Sequence, residues 1–475
     1  MSIKLVPGAA DPVAVCIVGG GFCGVALAWQ LLHTLQRPQK IILVNKGTHI
    51  GHGLAYGTAS PHHLLNVPAG RMGIDPVDEA GFLRYLHGLG LPFGAGDFVP
   101  RSLYGAYLEH ALGRARTEAA AFGVHLQVLQ ASAVDVKPGL NGDQEVSLDD
   151  GSCIWAWQVV LALGNFSAAP PLLQSGLDWG APGLVQSAWE LPHMDAADME
   201  APVLLLGSGL TAFDALLELR HRGHRGPVTM LSRRGLLAQS HRQQERVPPH
   251  GVVPANVLED VTSVREMLRE VRDRIRQARQ DGHDWRDVIG GLRESTPRLW
   301  RQLSLAERAR FVRHLTPYWD THRHRAAVAI AQAVKKELVD GTLSLMAGRL
   351  RYLQQAAGRW QTTVSTRGTA TLQTSSFSVV VNCTGPSSNV RASADPLILA
   401  LLRQGKLLPD ALKLGLQVDD AYRLCDVKGH GQSGLYYLGP LLKADWWEAT
   451  AVPELRQHAA RLAKLLVAQN HAVGM

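Results

Sequence analysis

The stretch that decides the fold runs from residue 13 to residue 36 and reads V-A-V-C-I-V-G-G-G-F-C-G-V-A-L-A-W-Q-L-L-H-T-L-Q. An apolar run ends at Gly19, and after Gly24 leucines recur at the spacing of one helix face. The pattern predicts a strand, a G-x-G-x-x-G turn and a helix. This arrangement is typical of the βαβ unit that binds a dinucleotide.

Each glycine of the motif has its own predicted role. Gly19 makes the tight turn, Gly21 lets the backbone approach a pyrophosphate, and Gly24 lets the helix pack closely on the strand. The pyrophosphate would then lie at the amides of the helix N-terminus. The alternative, a membrane-spanning helix, is disfavoured because adjacent glycines weaken a helix.

Length and composition indicate a globular protein of two or three domains. The chain has 475 residues, of which 46% are hydrophobic and 19% charged, and its N-terminus has no apolar signal core. We therefore expect a cytoplasmic protein. Its five cysteines show no C-x-x-C or metal-ligand spacing. The net charge of +7 suits either nucleic acid or anionic small molecules. Because no nucleic-acid module is present, small anionic ligands are favoured. No membrane partner is predicted.

The second apolar run, residues 40–46, ends near Asn45, where this fold usually has a carboxylate that binds the adenosine ribose. An amide can still hydrogen-bond a hydroxyl, so Asn45 is a predicted cofactor contact. The glycine-rich loop at 51–72 is long enough to suggest a functional role. Its His62 and His63 fit ordinary loop histidines better than metal ligands.

A second nucleotide motif occupies residues 202–219, where Gly207, Gly209 and Ala212 form G-x-G-x-x-A. The strand that follows leads into Arg233 and Arg234. Two arginines at this place suit the 2′-phosphate of NADPH, which favours NADPH over NADH. The alternative is an ordinary pair of surface arginines.

The two motifs head two halves of an internal repeat, each ending in an apolar strand and a glycine. The predicted fold is α/β with two Rossmann-type dinucleotide-binding domains. The predicted domains are 1–200, 201–386 and a return to the first domain at 387–475, with a helical insertion at about 255–340. His322 and His324 at i, i+2 do not face each other on a helix, so no metal site is predicted.

Two dinucleotides imply electron transfer between a nicotinamide and a flavin, FAD. A disulfide reductase would add a redox cysteine pair, which this sequence lacks. The remaining chemistry is that of a monooxygenase, in which the reduced flavin reacts with O₂ in a site shielded from water.

Several motifs together resemble the bacterial FAD-NAD(P)-binding monooxygenases: G-G-G-F-C-G, A-Y-G-T…H-L-L-N-V-P-A-G-R-M, F-V-P-R-S-L-Y-G-A-Y-L, P-Y-W-D-T-H-R-H-R and L-G-P…W-W-E-A-T-A-V-P-E-L-R. One branch of that family comprises FAD-dependent urate hydroxylases, and the broader group is similar to amine N-hydroxylases. The resemblance implies that the first glycine motif binds FAD, that the second binds NAD(P)H, and that residues 439–448 border the flavin.

The function predicted on this basis is hydroxylation of urate to 5-hydroxyisourate in purine catabolism with NAD(P)H and O₂. The alternatives are an N-hydroxylase of an amino acid or amine, and a non-catalytic flavin-bound sensor. Asn66, Arg71 and Arg101 are candidate substrate contacts. The alternative for Arg71 is an ion pair that anchors its loop. The predicted cofactor-binding residues are Gly19, Gly21, Gly24, Asn45, Gly164, Gly207, Gly209, Thr211, Arg233, Arg234, Gly385, Gly439 and Glu448.

Overall fold

The structure is a computed structural model that describes residues 13–35, 37–171, 177–193, 199–243, 258–369 and 371–472. Residues 1–12, on which the absence of a signal sequence was judged, lie outside the described residues. So do Gln36 and the predicted start of the helical insertion near residue 255.

Fifteen strands are assigned within the described ranges. They are β1 Val13–Val18, β2 Gln39–Asn45, β3 Val124–Gln130, β4 Ala133–Pro138, β5 Gln144–Leu148, β6 Cys153–Leu161, β7 Leu184–Val185, β8 Val203–Leu206, β9 Val228–Ser232, β10 Leu343–Ala356, β11 Arg359–Thr366, β12 Leu372–Phe377, β13 Val379–Asn382, β14 Arg423–Cys425 and β15 Gly431–Tyr437.

Thirteen α-helices accompany them in the same ranges. They are α1 Phe22–Thr34, α2 Gly53–Tyr56, α3 Gly81–Gly88, α4 Arg101–Ala120, α5 Leu210–His221, α6 Val264–Gln280, α7 Trp285–Gly291, α8 Thr296–Gln302, α9 Leu305–His314, α10 Thr316–Arg323, α11 Val328–Val339, α12 Pro396–Arg403 and α13 Val452–Ala472. Short 3-10 helices lie at Ala69–Arg71, Ala188–His193, Val390–Ala392 and Pro440–Ala444.

The chain divides into two compact units. Unit 1 comprises Met1–Ala59, Val67–Phe166 and Ser388–Met475, and unit 2 comprises Ser60–Asn66 and Ser167–Ser387. The predicted boundary between the first two domains lies at residue 200, whereas the main segment of unit 2 begins at Ser167 and a short segment, Ser60–Asn66, also belongs to it. The difference arises because the short strand β7 pairs with β13 of the second sheet. Helices α6 to α11 make up the helical insertion of unit 2.

The sheet of unit 1 contains five parallel strands in the order β15-β6-β1-β2-β3. β14 pairs with β15 in the antiparallel sense, and the β4–β5 hairpin is attached to β6. The central strands are continuous apolar runs because helices cover both faces of such a sheet. Val15 and Ile17 of β1 accordingly have no exposed surface.

Unit 2 repeats this plan. Its parallel strands have the order β7-β13-β8-β9-β10, and β11 and β12 extend the sheet in the antiparallel sense. The predicted fold class, two dinucleotide-binding α/β domains, is therefore confirmed. Ligands of such sheets bind beyond the carboxyl ends of the strands. Both glycine motifs lie at these ends.

No helix among the described residues is both long enough and apolar enough to cross a membrane.

Candidate cofactor sites

The first glycine turn is closed by short backbone contacts. Gly19 has φ +115° and its N–H donates to the carbonyl of Val44 at 2.8 Å. A Cβ at Gly19 would overlap the carbonyl of Ala162, and one at Gly24 would overlap the carbonyl of Gly19. These two positions therefore hold the tight turn and the close approach of α1 to β1.

Gly21 differs from its two neighbours in the motif because it faces open space. It is the N-cap residue of α1, with φ −77° and ψ −168°, and no side chain caps the helix. A Cβ at Gly21 would meet no atom within 4 Å. The first-turn amides of α1 are thus left for a ligand, and their partial positive charge suits a pyrophosphate.

The second glycine turn has the same geometry in unit 2. Gly207 has φ +132°, its N–H donates to the carbonyl of Leu231 at 2.8 Å, and its Cβ would overlap the carbonyl of Cys383. Gly209 is the uncapped N-cap of α5, and a Cβ there also meets nothing within 4 Å. Only the third position differs, because the fully buried Ala212 fits where unit 1 needs glycine.

Asn45 at the end of β2 is held by the backbone around it. Its Oδ1 accepts a hydrogen bond from the Gly20 N–H at 3.2 Å, and its Nδ2 donates to the carbonyls of Gly47 at 2.7 Å and His49 at 3.3 Å. Both amide hydrogens are used in ordering the loop, and only the oxygen retains capacity for a ribose hydroxyl. The predicted ribose contact stays a prediction, now limited to accepting a hydrogen bond.

Tyr104 on α4 is a buried group that sequence patterns did not reveal. Its ring lies 6.3 Å from that of Phe22 at the start of α1 and 4.8 Å from that of Tyr56. Within the described part of the chain, its buried hydroxyl has no hydrogen-bond partner. Burial raises the pKa of Tyr104 well above its usual value, so the group remains a neutral donor. A buried donor without a partner beside the first glycine turn is consistent with a ligand at that turn.

The remaining predicted glycines also lie where strands end. Gly164 follows β6 with φ +69° and Gly385 follows β13 with φ +83°. Gly439, with φ +156°, follows β15 and precedes a 3-10 helix. Glu448 is 3% exposed, and Thr211 is the second residue of α5. Their contacts with cofactors stay predictions.

Unit 2 contains a cavity of about 320 Å³ next to the end of β9, which we call the arginine pocket. Arg233 and Arg234, predicted from the sequence, line it. Four further arginines join them from other elements, and in the part of the chain that the structure describes no acidic residue lines the cavity. The complete set is Arg233, Arg234, Arg313, Arg349, Arg351 and Arg367.

Strand register explains how this pocket forms. Ser232, the last residue of β9, pairs with Ala347 of β10, so Arg349, two residues further along β10, lies beyond the end of β9. Arg313 comes from α9, within the helical insertion. Such long-range convergence is absent from any local pattern in the sequence.

Tyr318 of α10 contacts Arg234, one of the arginines that line the pocket. Arg234 donates from Nη1 to the Tyr318 hydroxyl at 3.4 Å, its guanidinium lies 5.0 Å from the centre of the Tyr318 ring, and its Nη2 donates to the carbonyl of Arg313 at 3.3 Å. Hydrogen bonds from Arg234 and then Arg367 lower the pKa of Tyr318. The insertion is thereby tied to the end of β9.

The three candidate substrate residues lie in different places. Arg71 and Arg101 belong to unit 1, whereas Asn66 belongs to unit 2. Arg71 is exposed, with its Nε 3.8 Å from a carboxylate oxygen of Glu79, so the ion-pair alternative has a partner. Arg101 is the first residue of α4. No role in a reaction follows from these positions alone.

Arg456 on α13 supports the Arg71 loop. Its side chain is 1% exposed, and its Nη1 donates to the carbonyls of Arg71 at 3.1 Å and Gly73 at 3.0 Å. Its Nη2 forms an ion pair with Glu79. No local sequence pattern predicts this role, because the contacts join residues that are 377 to 385 positions apart.

Part of the chain is similar in sequence to known proteins. Residues 16–166 match a family described as FAD-NAD(P)-binding. An L-aspartate N-monooxygenase (nitrosuccinate-forming) from Streptomyces cremeus is 35% identical over 137 residues, which cover 26% of this chain and 19% of that protein. The chain thus matches about a fifth of the length of that curated relative.

Solved structures agree on the fold. An ornithine N-hydroxylase from Kutzneria sp. 744 has a TM-score of 0.64 at 15% identity, covering 97% of this chain and 100% of that one. The L-lysine 6-monooxygenase from Pseudomonas syringae has a TM-score of 0.64 at 16% identity, covering 96% and 99%. At such low identity these similarities establish the fold alone.

The comparisons confirm one part of the predicted function and correct another. The match to an FAD-NAD(P)-binding family confirms the predicted cofactors, FAD and NAD(P)H. The predicted monooxygenase activity agrees with that of the relative found by sequence. The prediction of urate as substrate is wrong, since the relative found by sequence is an amino-acid N-monooxygenase. Residues 16–166 thus match a family described as FAD-NAD(P)-binding, and the chain as a whole has a two-domain fold similar to that of these solved flavoproteins.

Proposed function

We propose that this protein is an FAD-dependent monooxygenase that uses NAD(P)H and O₂ to hydroxylate the amino nitrogen of an amino acid or amine. The observation that carries the proposal is the 35% identity to an L-aspartate N-monooxygenase. Two glycine turns of matching geometry, one in each unit, support a chemistry that needs two dinucleotides. The five cysteines are all free thiols, which argues against a disulfide reductase.

The first turn fits FAD. Gly21 and the uncapped N-terminus of α1 would hold the pyrophosphate, Asn45 Oδ1 would accept from a ribose hydroxyl, and the Tyr104 hydroxyl offers a buried donor nearby. When bound, the flavin supplies the activation of O₂, and the protein supplies orientation and the exclusion of water.

The second turn fits the nicotinamide cofactor. Gly209 at the uncapped start of α5 would hold its pyrophosphate, and the arginine pocket would hold a 2′-phosphate. A phosphate monoester carries nearly two negative charges, and arginine binds it with paired hydrogen bonds. We therefore propose that NADPH is preferred over NADH.

The proposed reaction balances without any further reactant. One oxygen atom of O₂ is inserted into an N–H bond of the amine, and the other leaves as water. NADPH provides two electrons and, with a solvent proton, the two hydrogens of that water. We propose that Arg71 or Arg101, both in unit 1, binds a substrate carboxylate. A cationic side chain is the natural partner of an amino acid's carboxylate.

The test is NADPH consumption by purified, flavin-containing protein with aspartate, ornithine, lysine and cadaverine. Substrate-dependent NADPH oxidation together with a hydroxylamine or nitro product, identified by mass spectrometry, is the expected result. A protein that contains FAD but oxidises NADPH with none of these amines, while releasing no hydrogen peroxide, would favour the flavin-bound sensor instead. Protein that takes up no FAD would contradict the entire assignment.

A further inference from the structure

Three side chains beside the first glycine turn come together as potential metal ligands. His49 lies in the loop after β2, His52 is the N-cap residue of α2, and Glu109 lies on α4. One ligand atom from each residue can be chosen so that all three lie within 4.8 Å of one another. From this geometry we propose that His49, His52 and Glu109 form a Zn²⁺-binding site.

The spacing between His52 and Glu109 fits an ion better than a direct contact. His52 Nε2 lies 3.6 Å from Glu109 Oε2, beyond hydrogen-bond distance, and within the described residues this buried nitrogen has no hydrogen-bond partner. Two ligands each about 2.1 Å from a tetrahedral Zn²⁺ are roughly 3.4 Å apart. This pair therefore needs almost no adjustment to share an ion.

His49 completes the set with a small movement. Its ring centre lies 5.2 Å from that of His52, and its side chain is exposed, so rotation can bring a nitrogen closer. Two imidazoles and a carboxylate, with a fourth position for water, form a ligand set that Zn²⁺ accepts. Ca²⁺ and Mg²⁺ prefer oxygen ligands, so the two histidines disfavour them.

The surrounding backbone is shaped to hold this arrangement. Gly105 of α4 leaves room for the His52 ring, because a Cβ at Gly105 would lie only 3.0 Å from His52 Nδ1. Gly51, between the two histidines, donates its N–H to the carbonyl of Gly20 at 2.7 Å. A bound ion would join this loop to α4 and so stabilise the segment that contacts the first glycine turn.

The experiment is a Zn²⁺ titration of untagged, full-length, flavin-containing protein, stripped of metal with a chelator, in competition with a chromophoric chelator. We expect one Zn²⁺ site per chain and a higher melting temperature when Zn²⁺ is bound. Glu109→Gln and His49→Ala should each weaken Zn²⁺ binding by roughly tenfold or more. Substituting a residue that only supports a metal ligand already lowers metal affinity by about this factor, and loss of a ligand itself should lower it at least as much. Flavin absorbance and the metal-free melting temperature verify that both variants are folded.

Two variants serve as controls. His33 and Glu118 form a similar pair, with 3.8 Å between His33 Nε2 and Glu118 Oε2, but they belong to no three-residue ligand group among the described residues. His62 Nε2 lies 2.9 Å from His221 Nδ1, and this histidine pair is the competing location for Zn²⁺ that the second control tests. His33→Ala and His62→Ala should leave Zn²⁺ binding unchanged. The proposal is overturned if wild-type protein binds no Zn²⁺ more tightly than the His49→Ala, Glu109→Gln double variant, or if His62→Ala abolishes binding.

Discussion

Replacing Tyr318 or Arg234 should change the preference between NADPH and NADH. Arg234 is held in place by the Tyr318 hydroxyl, by the Tyr318 ring and by the carbonyl of Arg313. NADH lacks the 2′-phosphate, so contacts made only with that group affect NADPH alone. The ratio of the two kcat/KM values therefore measures the arginine pocket separately from the rest of the dinucleotide site.

The expected loss in kcat/KM for NADPH follows from the contacts that each substitution removes. A hydrogen bond to a charged group contributes about 1.5–3 kcal/mol, so Arg234→Ala should lower kcat/KM for NADPH roughly 10- to 150-fold. Tyr318→Phe retains the ring beneath the guanidinium and removes only the hydroxyl. This change should cost about 0.5–1.5 kcal/mol, or roughly 2- to 10-fold. Neither variant should alter kcat/KM for NADH.

The assay is NAD(P)H oxidation by the purified protein at fixed substrate and ionic strength. Arg359→Ala is the matched control, because Arg359 is an exposed arginine of β11 that does not line the pocket. Equal losses with NADPH and NADH would mean that the substitution disturbs the domain rather than a phosphate site. An unchanged NADPH preference in Arg234→Ala would refute the placement of the 2′-phosphate in the arginine pocket.

Three further predictions address other parts of the chain. Gly21→Ala should weaken FAD binding with little loss of stability, because a Cβ at Gly21 meets no other atom. Gly24→Ala should also lower the melting temperature, because a Cβ at Gly24 overlaps the backbone of Gly19. Equal melting temperatures for the two variants would contradict this. Burial raises the pKa of Cys23 to about 12, so Cys23→Ser should retain NADPH oxidation and the native thiol should resist iodoacetamide at pH 8; loss of activity in Cys23→Ser would revive a thiol mechanism. Burial alone would raise the pKa of Glu337, but hydrogen bonds from Arg220 and Thr342 bring it below 4.5. Glu337→Gln should therefore destabilise by roughly 1–3 kcal/mol at pH 7. The difference from wild type should shrink as the pH falls from 7 through that lowered pKa, because the stabilisation requires the ionised carboxylate. A difference in urea unfolding that does not decrease as the pH is lowered would refute this account.

The sequence predicts the two nucleotide domains because their determinants are local. A strand, a turn that requires glycine at Gly19 and Gly207, and a helix follow one another within about 20 residues, so spacing alone identifies them. The structure reproduces the same backbone contacts in both units. Local patterns also placed Arg233 and Arg234 at the end of their strand.

Contacts between residues that are distant in the sequence cannot be predicted from local patterns. Tyr318 reaches Arg234 across 84 positions, and Arg456 reaches the carbonyl of Arg71 across 385. Neither pair leaves a periodic signal in the sequence, because the contact depends on how complete elements pack. Glu109 likewise lies 60 positions after His49 (109 − 49) and 57 positions after His52 (109 − 52). Side-chain sites of this kind become visible only when the chain is folded.

The urate prediction rested on a resemblance to a family whose branches act on different substrates, and the net charge could not decide between those branches. A net charge of +7 suits an anionic ligand, but it does not show which site that ligand occupies. Six positive charges lie in the arginine pocket of unit 2, beside the second glycine turn. We propose that these arginines bind the phosphate of the reductant, so their charge gives no guide to the substrate. Net charge predicts the sign of a ligand only when the location of the charges is known, because the field of a cluster decays within about a Debye length.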